Sequence, residues 1–228
     1  MNIKRSVLSE LFRLKNKHLK LELCKNEQLK VIAKKGSLDS DSVSFLKDNK
    51  AAIKDWMGSL SNEGSDISLS QISLLAPNQQ AMWNSHMVSD DKSVFNICMS
   101  YEITAENQID ESKIINAINR TVHAHSALCT RFSVHDELVI QTSVLKPSVK
   151  SYDNTISNVD IDDLIRNLFE VQFNIEAGES PLSISLIKKK PSEFLLVIVA
   201  HHIVCDGWSI NILMNDVMQL INDPSFNI

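Results

Sequence analysis

The most constraining feature of the sequence is a run of seven apolar residues from Phe194 to Ala200. A strand that is apolar on both faces must be covered on both faces, which predicts a central strand in a sheet flanked by other elements. The run is far shorter than the roughly 18–20 apolar residues that cross a bilayer, and the N-terminus lacks the apolar region of a signal peptide. We therefore expect a cytoplasmic protein with no membrane contact.

The residues around this strand have a mixed pattern. Helical spacing of apolar residues predicts helices over 78–86, 110–125, 162–171 and 209–221. Alternation predicts strands over 93–103, 129–134, 138–144 and 182–186. This mixture indicates the α/β (α+β) class.

The charge changes sign along the chain. Residues 1–57 contain 13 Lys and Arg against 7 Asp and Glu, a net charge of +6, whereas residues 58–228 contain 10 against 21, a net charge of −11. This asymmetry predicts two units with different partners, residues 1–57 and 70–228, joined by a polar linker over 58–69. Within the first unit the pattern predicts a helix over 3–15, a hairpin over 18–34, and helices over 39–48 and 50–57.

The nine residues that directly follow the central strand, His201 to Ser209, contain the candidate catalytic groups. A buried strand leads into them and a helix follows, so we expect a rigidly held turn. A neutral imidazole such as His202 can accept a proton from an attacking amine or hold the amine in place, and N–H groups around Gly207 can stabilise an oxyanion. We expect His201 to be a buried structural histidine and Asp206 to be a buried carboxylate paired with a cation.

The string HHIVCDGWS resembles the HHxxxDG signature of condensation domains in nonribosomal peptide synthetases. Residues 78–83 and 125–132 resemble the first and second motifs of that family, and residues 173–186 resemble its run before the active strand. The resemblance covers roughly residues 70–228. It implies an acyltransferase with a chloramphenicol-acetyltransferase-like fold, in which His202 is the catalytic residue.

The resemblance also has implications for parts of the chain outside the signature. A complete condensation domain needs a second lobe, for which we find no segment, so this chain alone is expected to be inactive. The second-motif arginine of the family falls on Cys129. Arg131 points the same way along a strand, so we expect Arg131 to supply the cation for Asp206.

Residues 1–57 separately resemble the N-terminal docking domain of the tubulysin-synthetase type, with its helix, hairpin and two further helices. The expected partner is the acidic C-terminal tail of an upstream synthetase subunit, added as a strand to the hairpin edge. Five lysines are the candidate binding residues: Lys20, Lys25, Lys30, Lys34 and Lys35.

The other expected partners of the chain are donor and acceptor carrier proteins bearing 4′-phosphopantetheine, in a bacterial pathway to a secondary metabolite. The chain itself is expected to bind no metal, because its cysteines form no CxxC and its histidines no HExxH. The resemblance implies that the chain binds no cofactor directly. Nucleic acid is disfavoured, since the basic unit lacks aromatic interleaving and the second unit is acidic.

One alternative function remains open. The chain can be a protein-docking module whose second unit is catalytically silent. Separately, the pair His86 and Asp90 repeats the His-x-x-x-Asp spacing of the signature, and we interpret that pair as a coincidence without function.

Overall fold

The computed structural model describes residues 3–61, 65–154 and 160–228. These residues contain helices and strands in mixed order. The helices are α1 (Arg5–Asn16), α2 (Ser40–Asp48), α3 (Lys50–Leu60), α4 (Pro77–Val88), α5 (Glu111–Ala124), α6 (Ile161–Phe169) and α7 (Gly207–Asn222). The strands are β1 (Lys20–Leu23), β2 (Leu29–Ile32), β3 (Ile67–Ser68), β4 (Ile72–Leu74), β5 (Asn96–Thr104), β6 (Thr130–His135), β7 (Leu138–Ser143), β8 (Val149–Asp153), β9 (Leu182–Lys190) and β10 (Glu193–His201).

The chain divides into two compact units that differ from the expected division at residues 57 and 70. The first unit consists of Met1–Ala76 and Arg131–Val144, and the second of Pro77–Thr130 and Leu145–Ile228. Much of the expected linker over 58–69 is regular structure, because α3 continues to Leu60 and β3 pairs with β1. Residues 62–64 of that linker lie outside the described residues.

The first unit contains the predicted hairpin, in which β1 and β2 pair antiparallel. Strand β1 also pairs with β3, so the described sheet has the order β2-β1-β3. Leu21 and Leu23 of β1 turn into a core formed with α1 and α3. This core extends to Ile72 and Ile140, both fully buried. The apolar residues of the N-terminal segment therefore share one core with residues far along the chain.

The hairpin of β6 and β7 belongs to the first unit and caps its first helix. The two turn residues Asp136 and Glu137 both have positive φ, 48° and 66°, as the tight hairpin turn requires. The Asp136 carboxylate accepts a 2.6 Å hydrogen bond from the backbone N–H of Arg5, where Lys4 provides no side-chain cap for α1. A residue 131 positions away thus satisfies an N–H group at the start of α1.

The second unit is built on a four-stranded sheet of order β5-β10-β9-β8. Strand β10 pairs antiparallel with β5 on one side and β9 on the other, and its residues from Phe194 to His201 are buried. The prediction of a central strand covered on both faces is therefore confirmed. Strand β8, which pairs parallel with β9, was not expected, because its sequence VKSYD has little apolar content.

Helices of the second unit pack around this sheet. Helix α6 contacts β10, and α5 packs along α7. Asp110 caps α5 and Asp160 caps α6, each by accepting a hydrogen bond from a backbone N–H of the first turn. In the part of the chain that the structure describes, no helix combines the length and the apolar character that a membrane span requires.

Candidate active site

The site lies where β10 ends and α7 begins. Residues 202–204 form a turn directly after His201, and α7 starts at Gly207. The turn is anchored at two points besides its own hydrogen bonds: His202 N donates to Phe95 O at 2.9 Å, and Gln79 Nε2 donates to Ile203 O at 3.0 Å. The His202 side chain is exposed on this anchored turn.

His201 is fully buried and hydrogen-bonded at both ring nitrogens. Its Nδ1 accepts from Ile203 N at 3.0 Å, and its Nε2 lies 3.1 Å from Nδ1 of His86. Burial, followed by the nearby imidazoles of His86 and His202, lowers the pKa of His201 to about 4. His201 is therefore neutral near pH 7, as a histidine without a buried anion must be.

His86 is likewise fully buried, and its Nε2 lies 3.0 Å from Oε2 of Glu176. Burial alone would raise the pKa of Glu176, but a backbone hydrogen bond, the His86 contact and the charge of Lys92 together lower it. Asp90, which has the His-x-x-x-Asp spacing from His86, is exposed. His86 itself, however, is part of the site. No sequence motif relates residues 86, 176 and 201 to one another. The one hint was that His86 lies three residues after Trp83, on the buried face of α4.

Asp206 does not have the expected environment. The expectation of a buried carboxylate is wrong: Asp206 is exposed, and Oδ1 accepts from the N–H and hydroxyl of Ser209 at 2.8 and 2.7 Å. These hydrogen bonds, first of all that of the Ser209 hydroxyl, lower the pKa of Asp206. Arg131, its expected partner, belongs to the first unit and donates to Leu60 O at 2.5 Å. Asp206 is thus the N-cap of α7.

Gly207 has no special backbone conformation, and a Cβ built at this position meets no atom within 4 Å. The fold of this unit therefore does not require glycine at position 207. The N–H groups of Gly207 and Trp208 belong to the first turn of α7, where a helix N-terminus favours negative charge. The Trp208 side chain is exposed beside them.

A small apolar cavity of about 170 Å³ lies against the same turn. Its lining includes Val204, Cys205 and Leu213 together with His125 and Leu128. Burial, together with the Asp206 charge, raises the pKa of Cys205 to about 12. The thiol therefore stays protonated and is unsuited to act as a nucleophile.

The five candidate docking lysines are all exposed in the first unit. They lie on or around the β1-β2 hairpin, at its strands, its turn and the segment after it: Lys20, Lys25, Lys30, Lys34 and Lys35. Among the described residues, no group of three His, Cys, Asp or Glu side chains is arranged to hold a metal ion.

Solved structures show which fold the chain has. The condensation domain from monacolin K polyketide synthase MokA superposes with a TM-score of 0.60 at 20% identity, over 68% of this chain and 35% of that one. The starter condensation domain of rhizomide synthetase RzmA gives 0.59 at 19% identity, over 66% and 37%. The fold is therefore the mixed α/β fold of condensation domains.

Sequence comparisons find relatives among peptide synthetases. The hybrid PKS-NRPS synthetase mycA of Thermothelomyces thermophilus is 30% identical over 148 residues, 62% of this chain and 4% of the synthetase. Vanchrobactin synthetase VabF of Vibrio anguillarum is 29% identical over 153 residues, 63% of this chain and 5% of that protein. The chain therefore spans only a few percent of the length of these curated relatives.

A family model described as "Condensation domain" matches residues 70–223. The chain belongs to the condensation domain family. Members of this family are acyltransferases that form amide bonds.

Proposed function

We propose that this chain supplies the HHxxxDG half of the condensation site of a nonribosomal peptide synthetase, which joins carrier-bound acyl or aminoacyl groups. The observation that carries the proposal is the exposed His202 side chain on a turn held by hydrogen bonds from His202 N and to Ile203 O. An exposed imidazole on rigid backbone can meet a substrate without losing its orientation.

In the proposed reaction the acceptor amine attacks the carbonyl carbon of the donor thioester. A C–N bond forms, the C–S bond breaks, and the phosphopantetheine thiol of the donor carrier leaves. His202 takes the proton that the attacking nitrogen loses and returns it to the departing sulfur. The N–H groups of Gly207 and Trp208 stabilise the negative charge on the carbonyl oxygen, since they lie at the start of α7.

His202→Ala tests this role in the synthetase that contains these residues, with donor and acceptor carriers loaded. We expect single-turnover amide formation to fall by about two to four orders of magnitude, while the melting temperature of the chain stays within a few degrees. His123→Gln, which changes an exposed histidine on α5, is the matched control and should keep the wild-type rate. Amide formation at the wild-type rate in His202→Ala contradicts the proposal.

The first unit supports a second role, docking of an acidic tail from an upstream synthetase subunit. Strand β2 is the outermost strand of its described sheet, and its Val31 and Ile32 side chains are 48% and 47% exposed. A strand added beside β2 can satisfy the N–H and C=O groups of that edge.

The two faces of the β1-β2 hairpin predict the chemistry of the tail. Register pairs Lys20 with Ile32 and Glu22 with Lys30, so both lysines lie on one face. The opposite face opens on an apolar groove of about 280 Å³, lined by Leu29 and Val31 and rimmed by Lys47. Since side chains alternate along a strand, a bound tail would alternate acidic and apolar residues.

Calorimetry of the whole chain with such a peptide tests the docking role. We expect micromolar affinity that weakens above physiological salt, because the tail must become ordered and its attraction to the lysines is screened. Lys30→Glu should weaken binding, and Lys113→Glu, the same change on α5 of the second unit, should not. Equal affinity for both variants at both salt concentrations contradicts docking at this edge.

A further inference from the structure

We propose that Glu176, His86 and His201 form a directional chain of hydrogen bonds that holds the turn presenting His202. Glu176 and His86 then act as positioning residues at a distance from the substrate. The functional part of this inference rests on the proposed role of His202. The chain of hydrogen bonds itself is formed by residues of the second unit alone.

The direction of the chain follows from the chemistry of its two ends. At one end Ile203 N–H can only donate, so Nδ1 of His201 must be the acceptor in the 3.0 Å contact between them. A neutral His201 therefore carries its proton on Nε2. That proton can only be donated to Nδ1 of His86, 3.1 Å away.

The other end agrees with this direction. Because Nδ1 of His86 accepts, a neutral His86 carries its proton on Nε2, which lies 3.0 Å from Oε2 of Glu176. An ionised carboxylate is an acceptor only, so it matches this donor. Lys92 favours the ionised form, since its Nζ lies 3.9 Å from Oε1 of Glu176. Only one arrangement of protons therefore gives every donor in this series of hydrogen bonds an acceptor.

The packing leaves these rings little freedom. His86 and His201 are fully buried, with ring centroids 4.9 Å apart. Phe95 stacks on His201 at 5.6 Å and contacts His86 at 5.7 Å. The backbone carbonyl of the same Phe95 accepts from His202 N. Phe95 therefore packs against both rings of the hydrogen-bonded chain and also holds the backbone from which the His202 side chain projects.

Glu176→Gln tests whether Glu176 orients the protons of His86 and His201 or only packs against them. Its side chain has almost the same volume and Glu176 is partly exposed, so we expect the variant to fold. An amide can donate as well as accept, so His86 is no longer required to carry its proton on Nε2. His86 can then donate from Nδ1 to Nε2 of His201. A neutral His201 would then carry its proton on Nδ1, which could no longer accept from Ile203 N–H.

The first readout is the tautomer of each ring in the whole chain, measured by ¹⁵N NMR of labelled histidines at pH 7. We expect both His86 and His201 to carry the proton on Nε2 in the wild type. In Glu176→Gln we expect a second tautomer of His86, and about tenfold faster exchange of the Ile203 amide hydrogen, as for loss of one hydrogen bond. His123→Gln serves as the control and should leave both signals unchanged.

The second readout is amide formation by the synthetase that contains these residues. We expect Glu176→Gln to lower kcat about tenfold with little change in KM, because the imidazole is misplaced while the substrates still bind. His86→Gln, whose amide can accept from His201 and donate to Glu176, should retain more activity than His86→Leu.

Three results overturn the inference: a wild-type His201 protonated on Nδ1, an unchanged Ile203 exchange rate in Glu176→Gln, or an unchanged kcat in that variant while His202→Ala abolishes amide formation. The NMR readouts do not involve catalysis. If His202→Ala left amide formation intact while the tautomers were as expected, the role of His202 would be refuted and the hydrogen-bonded chain would stand.

Discussion

Acidification should destabilise the second unit through one histidine. His201 has a pKa of about 4 in the folded chain against 6.5 for an ordinary histidine. The unfolded chain therefore binds a proton first as the pH falls, so stability is fully present above 6.5 and is lost progressively down to about 4. The difference of 2.5 units corresponds to about 3 kcal/mol, at 1.36 kcal/mol for each unit.

The measurement is denaturant unfolding of the whole chain at several pH values between 4 and 7, followed by the amide NMR signals of strand β10. Carboxylates also titrate at the lower end of this range, so the wild type is compared with His201→Gln, which lacks the titrating group. His201→Gln should be less stable at pH 7, because the hydrogen-bonded ring is lost. The gap between the two chains should narrow by about 3 kcal/mol between pH 7 and pH 4.

His123→Gln controls for the loss of an exposed histidine in the same unit, and at pH 7 its stability should be close to that of the wild type. Parallel curves for wild type and His201→Gln would refute the reasoning. Such curves would mean that His201 binds its proton equally well in the folded and unfolded chains.

Four further variants at three positions test two helix caps and the glycine of the site, each by thermal unfolding. Asp206→Ala should lower the melting temperature by only a few degrees, because it removes an exposed cap on Ser209 and not half of a buried ion pair; unfolding at room temperature would restore the ion-pair hypothesis. Gly207→Ala should leave the melting temperature within about 2 °C, since a Cβ there meets open space; a large loss would indicate backbone strain. Asp136→Ala should lower it more than Asp136→Asn, because Asn still accepts from Arg5 N–H and tolerates positive φ; equal losses would show that the cap does not matter.

The sequence predicted those elements whose pattern is local. The central strand from Phe194 to Ala200 and the β1-β2 hairpin were found because continuous and alternating apolar patterns identify them directly. Strand β3 has two residues and β8 is mostly polar, so neither has a detectable period. Their pairing depends on neighbours that are distant in the sequence.

The structural surroundings of the candidate site could be predicted only in part. The string after β10 predicted the turn that carries His202, but not that its side chain is exposed. The same string contains a further signal, since an Asp before a helix indicates an N-cap. The cap would have placed the helix start at Gly207 instead of Ser209. His86 and Glu176 could not be found, because their relation to His201 exists only in three dimensions.

The cap that Asp136 provides for α1 also delays the completion of folding of the first unit during synthesis. Helix α1 leaves the ribosome before the hairpin that completes its unit, which ends at Val144, 68 residues after Ala76. At about 5–20 residues per second, the nascent N-terminal segment waits roughly 3–14 s with part of its apolar core unfilled. During that interval the nascent chain has already begun the second unit, at Pro77, so the folding of the two units overlaps in time on the ribosome.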